Sequence, residues 1–306
     1  MGTPEFAVPS LKALIQEGYE VIGVFTQPDR PRGRGNKLLP SPVKVAATEA
    51  GIPVFQPQRI RRDGADDLKK IQPDLCVTAA FGQILSGEIL EIPPMGSINV
   101  HASLLPKHRG SAPIAHAIMQ GDTETGVTTM FMDEGIDTGD ILLQDKTEIS
   151  DSETCGELTE RLSHIGARLL IRTIRELEAG TLTRTPQDIN EMTYDPMLTK
   201  ELGIIDFTGN ADAVRGMING LNPWPCVSVP LGQDRLKLLR AVNADGSGSP
   251  GTVTVADPKK GLIISCGSGA VKILEIQAPG GKRMKAEEYL RGHGIAAGTI
   301  LKEAGK

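Results

Sequence analysis

Short apolar runs alternate with amphipathic stretches over the first 180 residues of the chain. The apolar runs predict strands at 21–25, 54–55, 75–80, 98–100, 127–132 and 141–149. Helical spacing of apolar residues predicts helices at 7–15, 41–50, 63–71 and 113–120, and a longer one at 154–180. Thr154 and Glu157 form the T-x-x-E capping box that starts the last of these helices. Such alternation predicts an α/β fold, a mostly parallel sheet with helices on both faces.

The pattern changes after residue 203. A helix predicted at 213–221 is followed by N-P-W-P and then by five short strands at 226–230, 235–241, 252–256, 261–265 and 271–278. Gly-rich turns separate these strands, which is typical of a small β-barrel of the oligonucleotide-binding (OB) type. Residues 182–203 are polar and irregular and predict a linker. The sequence therefore predicts domains at 1–181 and 204–306.

Composition narrows the class of protein without identifying it. The 306 residues are 39% apolar and 23% charged, which describes an ordinary globular chain with room for two cores. No apolar run is long enough to span a membrane, and no signal peptide is recognisable. The four cysteines are far apart and fit no metal-ligand spacing, so we expect a reduced, cytoplasmic setting and no metal.

The net charge of −5 conceals an asymmetry along the chain. Residues 207–306 hold 13 Lys+Arg and 8 Asp+Glu, a balance of +5, which leaves 20 and 30, or −10, for residues 1–206. A basic C-terminal third predicts contact with a polyanion. A chance bias of the surface is the alternative.

The stretch S-I-N-V-H-A-S-L-L-P at 97–106 is the main candidate for chemistry. Asn99 and His101 alternate with Ile98 and Val100, so both polar side chains point to one face of the predicted strand. Open α/β sheets place their chemistry at the carboxyl ends of strands, and this pair lies at such an end. A buried, hydrogen-bonded Asn–His pair without a catalytic role is the alternative.

The segment M-D-E-G-I-D-T-G-D at 132–140 is an acidic, Gly-containing loop. Asp133, Glu134, Asp137 and Asp140 lack the ligand spacing and the terminal Glu of a calcium loop. A carboxylate near an imidazole is the better interpretation. We expect Asp137 to orient His101 and to support its charged form.

Two basic segments are candidates for nucleic-acid contact. The loop Q-P-D-R-P-R-G-R-G-N-K interleaves cations with Pro and Gly, which predicts an adaptable loop with no regular element. A second cluster follows the predicted barrel strands. The candidate residues are Arg30, Arg32, Arg34 and Lys37 in the loop, and Lys282, Arg283 and Lys285 in the cluster. A solvated loop and a structural appendage are the alternatives.

Taken together, the motifs closely resemble the formyltetrahydrofolate-dependent formyltransferases over the whole chain. The resemblance rests on M-G-T-P-E-F-A-V-P-S-L, the Arg-rich loop, S-I-N-V-H-A-S-L-L-P-K-H-R-G-S-A-P-I, M-D-E-G-I-D-T-G-D and N-P-W-P. The Asn-x-His run with I-D-T-G marks the wider family. The Arg-rich loop and the C-terminal barrel point to its tRNA-directed members.

The resemblance implies a Rossmann-like N-terminal domain, an OB-like C-terminal domain and specific site residues. Asn99, His101 and Asp137 would be the catalytic trio. The folate site would be lined by Ser103, Leu104, Leu105 and Pro106. Arg34 matches a family position that meets the acceptor end of tRNA.

The implied reaction moves the formyl group of 10-formyltetrahydrofolate to the α-amine of methionine on initiator tRNA. The amine would attack the formyl carbon directly, and Asn99 and protonated His101 would donate to the resulting oxyanion. Neither a covalent enzyme intermediate nor a metal is required. The family also implies a cytoplasmic monomer without membrane attachment.

Three other functions share parts of this pattern. A formyltransferase acting on a sugar amine or a purine-precursor amine would keep the trio, as would a hydrolase that releases formate. The Arg-rich loop and N-P-W-P weigh against both. An RNA-binding relative without catalysis is the third, and the intact trio weighs against it.

One departure from the family concerns the start of the chain. Relatives carry a short apolar strand before M-G-T-P, and losing a central strand would leave two neighbours unpaired. We therefore expect the natural start to lie upstream and Met1 to be an internal methionine.

Overall fold

The structure is a computed structural model that describes residues 1–32 and 37–301. The chain forms two compact units. The first comprises Met1–Gly110, Gly126–Thr147 and Thr159–Tyr194, and the second comprises Ser111–Thr125, Glu148–Leu158 and Asp195–Lys306. The predicted boundaries at 181 and 204 differ from this division, in which residues 182–194 belong to the first unit.

The elements up to residue 195 are a mixture of strands and helices. The strands are β1 (Val24–Phe25), β2 (Arg30–Arg32), β3 (Lys37–Leu39), β4 (Val54–Phe55), β5 (Cys76–Thr78), β6 (Ser97–His101), β7 (Arg109–Gly110), β8 (Glu124–Phe131), β9 (Ile141–Glu148) and β10 (Tyr194–Asp195). The helices are α1 (Val8–Gln16), α2 (Pro42–Glu49), α3 (Ile60–Asp63), α4 (Ala65–Ile71), α5 (Gly87–Leu90), α6 (Pro113–Gln120) and α7 (Cys155–Glu178).

The first unit confirms the Rossmann-like α/β prediction, with a sheet that is parallel in its first half. β1 pairs with β4 in parallel, and β5 pairs with β6 in parallel. β6 then pairs with β8 in the antiparallel sense, and β9 lies next to β8. All five residues of β6 are buried. The residue pattern of a strand buried on both faces does not reveal the orientation of its neighbour.

Met1 and Gly2 bridge the sheet of the first unit between β1 and β5. The Gly2 N–H donates to Phe25 O at 3.0 Å, and the Ala79 N–H donates to Met1 O at 2.9 Å. A cavity of about 320 Å³ adjoins these two residues and is lined by residues 19–25 and 73–77 of the flanking segments. Because the backbone of Met1 and Gly2 bonds to β1 on one side and to the residue after β5 on the other, these two residues occupy the position of one strand between β1 and β5.

The prediction that residues 27–37 contain no regular element is wrong. β2 and β3 form an antiparallel ribbon in which Arg30 pairs with Leu39 and Pro31 with Leu38. Both strands of a two-stranded ribbon are edge strands, and an edge strand tolerates proline because the missing N–H can face away from its partner.

Local capping chemistry fixes several helix ends, as predicted. The Ser41 hydroxyl accepts a bond from Lys44 N–H at 3.1 Å, and Pro42 is the first residue of α2. At the start of α7, the Thr154 N–H and hydroxyl donate to Glu157 Oε2 at 3.0 and 2.9 Å. The Glu157 N–H donates to the Thr154 hydroxyl at 3.4 Å, which completes the capping box.

The second unit is rich in β-structure, as predicted. It includes α6, and its elements after residue 203 are α8 (Ala211–Gly220), β11 (Val227–Leu231), β12 (Asp234–Ala244), β13 (Val253–Asp257), β14 (Gly261–Ser265), β15 (Ala270–Gln277), β16 (Arg283–Lys285) and α9 (Ala286–Gly292). The strand order is β11-β12-β15-β14-β13, with β16 also on β15, and the pairings are antiparallel. Apolar side chains of the strands pack with Val214 and Ile218 of α8 in one core.

The four cysteines are free. Cys76, Cys226 and Cys266 are buried, and burial raises the pKa of each thiol, to about 11 for Cys266. Cys76 packs in an apolar cluster with Phe25 and Leu68, in agreement with its predicted role as a small hydrophobic residue. Among the described residues, no helix combines the length and the apolar character that a membrane span requires.

The capping box gives a stability prediction. Removing the Thr154 hydroxyl leaves the Glu157 N–H without its acceptor and removes one bond to the Glu157 carboxylate, so we expect Thr154→Ala to lower the free energy of unfolding by about 1 kcal/mol. Thr181 lies exposed beyond the other end of the same helix. Thr181→Ala is therefore the control and should change stability by less than about 0.5 kcal/mol. Urea unfolding measures both, and equal effects would contradict the capping assignment.

Burial of Glu157 alone would raise its pKa, but bonds from Thr154 and Arg240 outweigh this, and the pKa of Glu157 is lowered. A lowered carboxyl pKa stabilises the fold above the unfolded pKa, and this contribution is lost as pH falls through the folded pKa. The loss of unfolding free energy caused by Thr154→Ala should accordingly be smaller at acid pH than at neutral pH.

Candidate active site

β6 brings Asn99 and His101 to one place. Strand alternation puts both side chains on the same face, as the sequence predicted, and they are 8% and 6% exposed. Their backbones are fixed by ladder pairing, Asn99 with Met130 and His101 with Thr128 of β8. The two polar groups therefore project from a strand with little freedom to move.

The loop at 132–140, between β8 and β9, supplies the carboxylate and is called the acidic loop below. Asp137 Oδ1 lies 3.4 Å from Asn99 Nδ2 and 3.6 Å from His101 Nδ1. Its other oxygen, Oδ2, accepts a bond from the Gly110 N–H at 2.8 Å. The structure thus brings together the amide, imidazole and carboxylate that the sequence singled out.

The ring of His101 is held on both sides. Nε2 is 2.8 Å from the carbonyl oxygen of His108, which can only accept, so Nε2 carries a proton. In the neutral ring, Nδ1 is then the nitrogen with the free lone pair, and it faces Asp137. A proton that arrives at Nδ1 is placed directly against a carboxylate.

Asp137 adopts a left-handed backbone conformation, with φ of 54°. This region is unfavourable for a residue with a side chain, so the surrounding contacts must hold it there. Gly139, two residues later, approaches β8 so closely that a Cβ atom would lie 1.8 Å from Phe131 O. The Phe131 N–H in turn donates to Asp140 O at 3.0 Å and closes the loop.

The predicted folate loop is prefolded by β8 and β9. Ser103 is fully buried, and its hydroxyl donates to Lys107 O at 2.7 Å. The Thr128 hydroxyl donates to Ser103 O and accepts from Leu105 N–H, while Gln144 Nε2 donates to Leu105 O at 2.9 Å. Leu104 and Pro106 are half-buried and form the more accessible part of this loop.

Residues 184–193, which we call the strap, lie against the acidic loop although the sequence predicted a linker. Thr185 exchanges two backbone bonds with Ile141, both 2.9 Å. Near its end, the Thr193 hydroxyl accepts from His108 N–H at 2.7 Å, and Thr193 O accepts from Arg109 N–H at 2.9 Å.

Gln187 is the strap residue that reaches the acidic loop most directly. Its Nε2 donates to Asp137 O and Gly139 O at 2.9 and 2.7 Å. Its Oε1 accepts from Arg109 Nε and one terminal nitrogen at 3.0 and 2.8 Å. Sequence reasoning missed Gln187 because a single glutamine in a polar, aperiodic segment gives no local signal.

The other acidic residues of the loop have different partners. Asp133 Oδ1 accepts from Gly135 N–H and from the Thr138 hydroxyl, so it shapes the turn. Asp140 accepts from Arg184 Nε at 3.0 Å. Within the part of the chain that the structure describes, no group of three His, Cys, Asp or Glu side chains is placed to hold a metal ion.

The predicted tRNA-binding residues fall in both units. In the first unit, Arg30 donates to Gln27 Oε1 at 3.2 Å, and Arg32 and Lys37 are opposite each other in the β2–β3 ribbon. Arg34 lies outside the described residues. In the second unit, Lys282 and Lys285 are exposed, and Arg283 forms an ion pair with Glu275.

Comparisons with known proteins agree along the whole chain. Residues 1–174 match the family described as Formyl transferase, and residues 197–294 match its C-terminal domain. A relative from Trichlorobacter lovleyi, named methionyl-tRNA formyltransferase, is 48% identical over 98% of this chain and 95% of its own length. Another of the same name, from Geotalea daltonii, is 49% identical over 98% of this chain and 96% of its own length.

Solved structures of lower identity share the fold. An N-formyltransferase from Helicobacter canadensis, in complex with folinic acid and dTDP-3-aminofucose, is 20% identical with a TM-score of 0.68, over 92% of this chain and 97% of that one. A sugar 3N-formyl transferase, whose structure was determined in the presence of dTDP and 5-N-formyl-THF, is 19% identical with a TM-score of 0.65. The match covers 90% of this chain and 94% of that one. With both domains matched and relatives nearly half identical over almost the full length, the chain belongs to the formyl transferase family.

Proposed function

We propose that this protein transfers the formyl group of 10-formyltetrahydrofolate to the free α-amine of methionine on initiator Met-tRNA. The product is N-formylmethionyl-tRNA for translation initiation, which places the reaction in the cytoplasm. The observation that carries the proposal is near-half identity, over almost the whole chain, to proteins named methionyl-tRNA formyltransferase. The sugar formyltransferases support the fold alone at 19–20% identity.

The cluster of Asn99, His101 and Asp137 suits acyl transfer to an amine. Attack on a formyl carbon places negative charge on its oxygen, and Asn99 Nδ2 is an amide donor near the carboxyl end of β6 for that charge. The attacking amine must lose a proton, and His101 Nδ1 is the ring nitrogen that can receive it. Asp137 then lies 3.6 Å from that nitrogen and stabilises the imidazolium while it exists.

The prefolded loop 103–106 supports folate binding next to this cluster. Internal hydrogen bonds already satisfy the Ser103 hydroxyl and the backbone N–H and carbonyl of Leu105. These polar groups therefore stabilise the loop and do not bond the co-substrate. Leu104 and Pro106 present half-buried apolar surface. We propose that these two residues contact the apolar part of the folate, and that Ser103 and Leu105 hold the loop in shape.

The catalytic assignment predicts large losses of activity without unfolding. Asn99→Ala should lower kcat about 10²–10³-fold through loss of an oxyanion donor, and His101→Ala about 10²–10⁴-fold through loss of proton transfer. Asp137→Ala should fall in the same range. His164, exposed on α7, is the control, and His164→Ala should keep its activity. Single-turnover formylation measures the effect, and near-normal turnover in a trio variant would remove that residue from the mechanism.

The basic cluster predicts a salt-dependent contact with tRNA. In the double variant Lys282→Ala/Lys285→Ala, KM for Met-tRNA should rise. The slope of log KM against the logarithm of the salt concentration should fall by about one for each phosphate that is no longer neutralised. Lys259→Ala/Lys260→Ala removes the same charge from the β13–β14 turn and is the matched control. Equal effects of the two doubles would mean that net charge matters and not this cluster.

The acceptor is tested by offering alternatives to one enzyme preparation. With 10-formyltetrahydrofolate labelled in the formyl group, we expect label to transfer to Met-tRNA and not to free methionine or to an amino-sugar nucleotide. Label on the amino sugar would identify a sugar formyltransferase. Label released as formate without an acceptor would identify a hydrolase.

A further inference from the structure

We infer that Gln187 is a positioning residue for the reaction, because its side chain holds the backbone of Asp137 in the conformation that aims the carboxylate at His101. The inference rests on the proposed function for its kinetic consequence, although the contacts themselves do not depend on it. The side-chain bonds of Gln187 run to Arg109 and to the backbone of the acidic loop. It therefore acts through the loop that carries Asp137.

The contacts of Gln187 permit only one orientation of its side-chain amide. Arginine carries donors only, so the side-chain oxygen must face Arg109 and the NH₂ group must face the two carbonyls. Both ends are then satisfied, with two bonds received from Arg109 and two given to Asp137 O and Gly139 O. Only a side chain that carries both a donor and an acceptor, as the amide of glutamine does, can make all four of these bonds.

These bonds close a ring around Asp137. Arg109 fixes Gln187, Gln187 fixes the Asp137 carbonyl, and the Asp137 carboxylate accepts from the N–H of Gly110, the residue next to Arg109. Asp137 is therefore held at its backbone by Gln187 and at its side chain by Gly110, and Arg109 links the two. The ring opposes the strain of its positive φ of 54°.

Burial distinguishes Gln187 from its neighbours. Residues 184–186 and 188–190 are exposed, whereas Gln187 is half-buried and Arg109 is only 5% exposed. The strap is anchored on either side of Gln187 by the Thr185–Ile141 bridge and by Thr193. The glutamine is thus the inward-facing contact of an otherwise exposed segment, supported from both ends.

The variant Gln187→Glu separates positioning from packing. Glutamate has the same size and can accept from Arg109, but it cannot donate to the two carbonyls and its second oxygen is repelled by them. We expect only a small loss of thermal stability from the two lost hydrogen bonds, a fall in kcat of about 10²-fold from misplacement of Asp137, and little change in KM for either substrate. Asn190→Asp makes the same amide-to-acid change on an exposed strap residue and should retain full activity.

A double variant tests whether the effect passes through Asp137. In an Asp137→Ala background, Gln187→Glu should cause little further loss of kcat, because the group that it positions is absent. Wild-type kcat in Gln187→Glu, or a loss that adds in full to that of Asp137→Ala, would overturn the inference.

Hydrogen exchange of the Gly110 amide provides a readout that does not need activity. This N–H is bonded to the Asp137 carboxylate, so it should exchange faster in Gln187→Glu than in wild type and Asn190→Asp. Absence of formyl transfer by the wild type would reject the proposed function and leave this result standing. Unchanged exchange at Gly110 would reject the positioning role itself.

Discussion

The carboxylate of Asp137 is the interaction on which the arrangement of the site depends. It is largely buried, so it must be hydrogen-bonded, and it lies within reach of Asn99, His101 and the Gly110 N–H. Its residue also has a left-handed backbone, which costs about 1–3 kcal/mol unless the surroundings compensate. The end of β6, the 108–110 segment and the acidic loop are therefore coupled, because moving one leaves a buried polar group unsatisfied.

The site of the first unit combines side chains from a strand with side chains from connecting segments. Asn99 and His101 stand on a fully buried strand with partners on both sides, which gives the precision that the proposed chemistry needs. The carboxylate and the proposed folate loop come from connecting segments, which are held by side-chain bonds from Thr128, Gln144 and Gln187. The β5-β6-β8-β9 ladder carries the site, while the two-residue bridge at Met1–Gly2 joins this ladder to β1.

The second unit has its own hydrophobic core and carries the basic cluster of Lys282, Arg283 and Lys285. Its antiparallel strands pack on α8, and the basic excess of residues 207–306 is reduced locally where Glu275 pairs with Arg283 and Arg240. Lys282 and Lys285 stay exposed beside that pair. A count of charges along the sequence therefore overstates the basic surface that this cluster offers to a polyanion.

Features that act over a few residues could be predicted from the amino-acid order alone, and distant contacts could not. Ser41 and the Thr154–Glu157 pair set helix ends through bonds to the next turn, and strand alternation placed Asn99 and His101 on one face. The motifs also indicated the family, which both domain matches bear out.

The meeting of distant segments became visible only in the folded chain. Gln187 bonds to residues 50 and 48 positions earlier, and no periodicity of a polar segment reports such a contact. The β2–β3 ribbon is a local pairing, and sequence reasoning missed it because its proline argued against a strand. The antiparallel partner of β6, like the partners of Gln187, is distant in the sequence. Local patterns record the preferences of neighbouring residues, whereas these contacts exist only because folding brings remote donors and acceptors together.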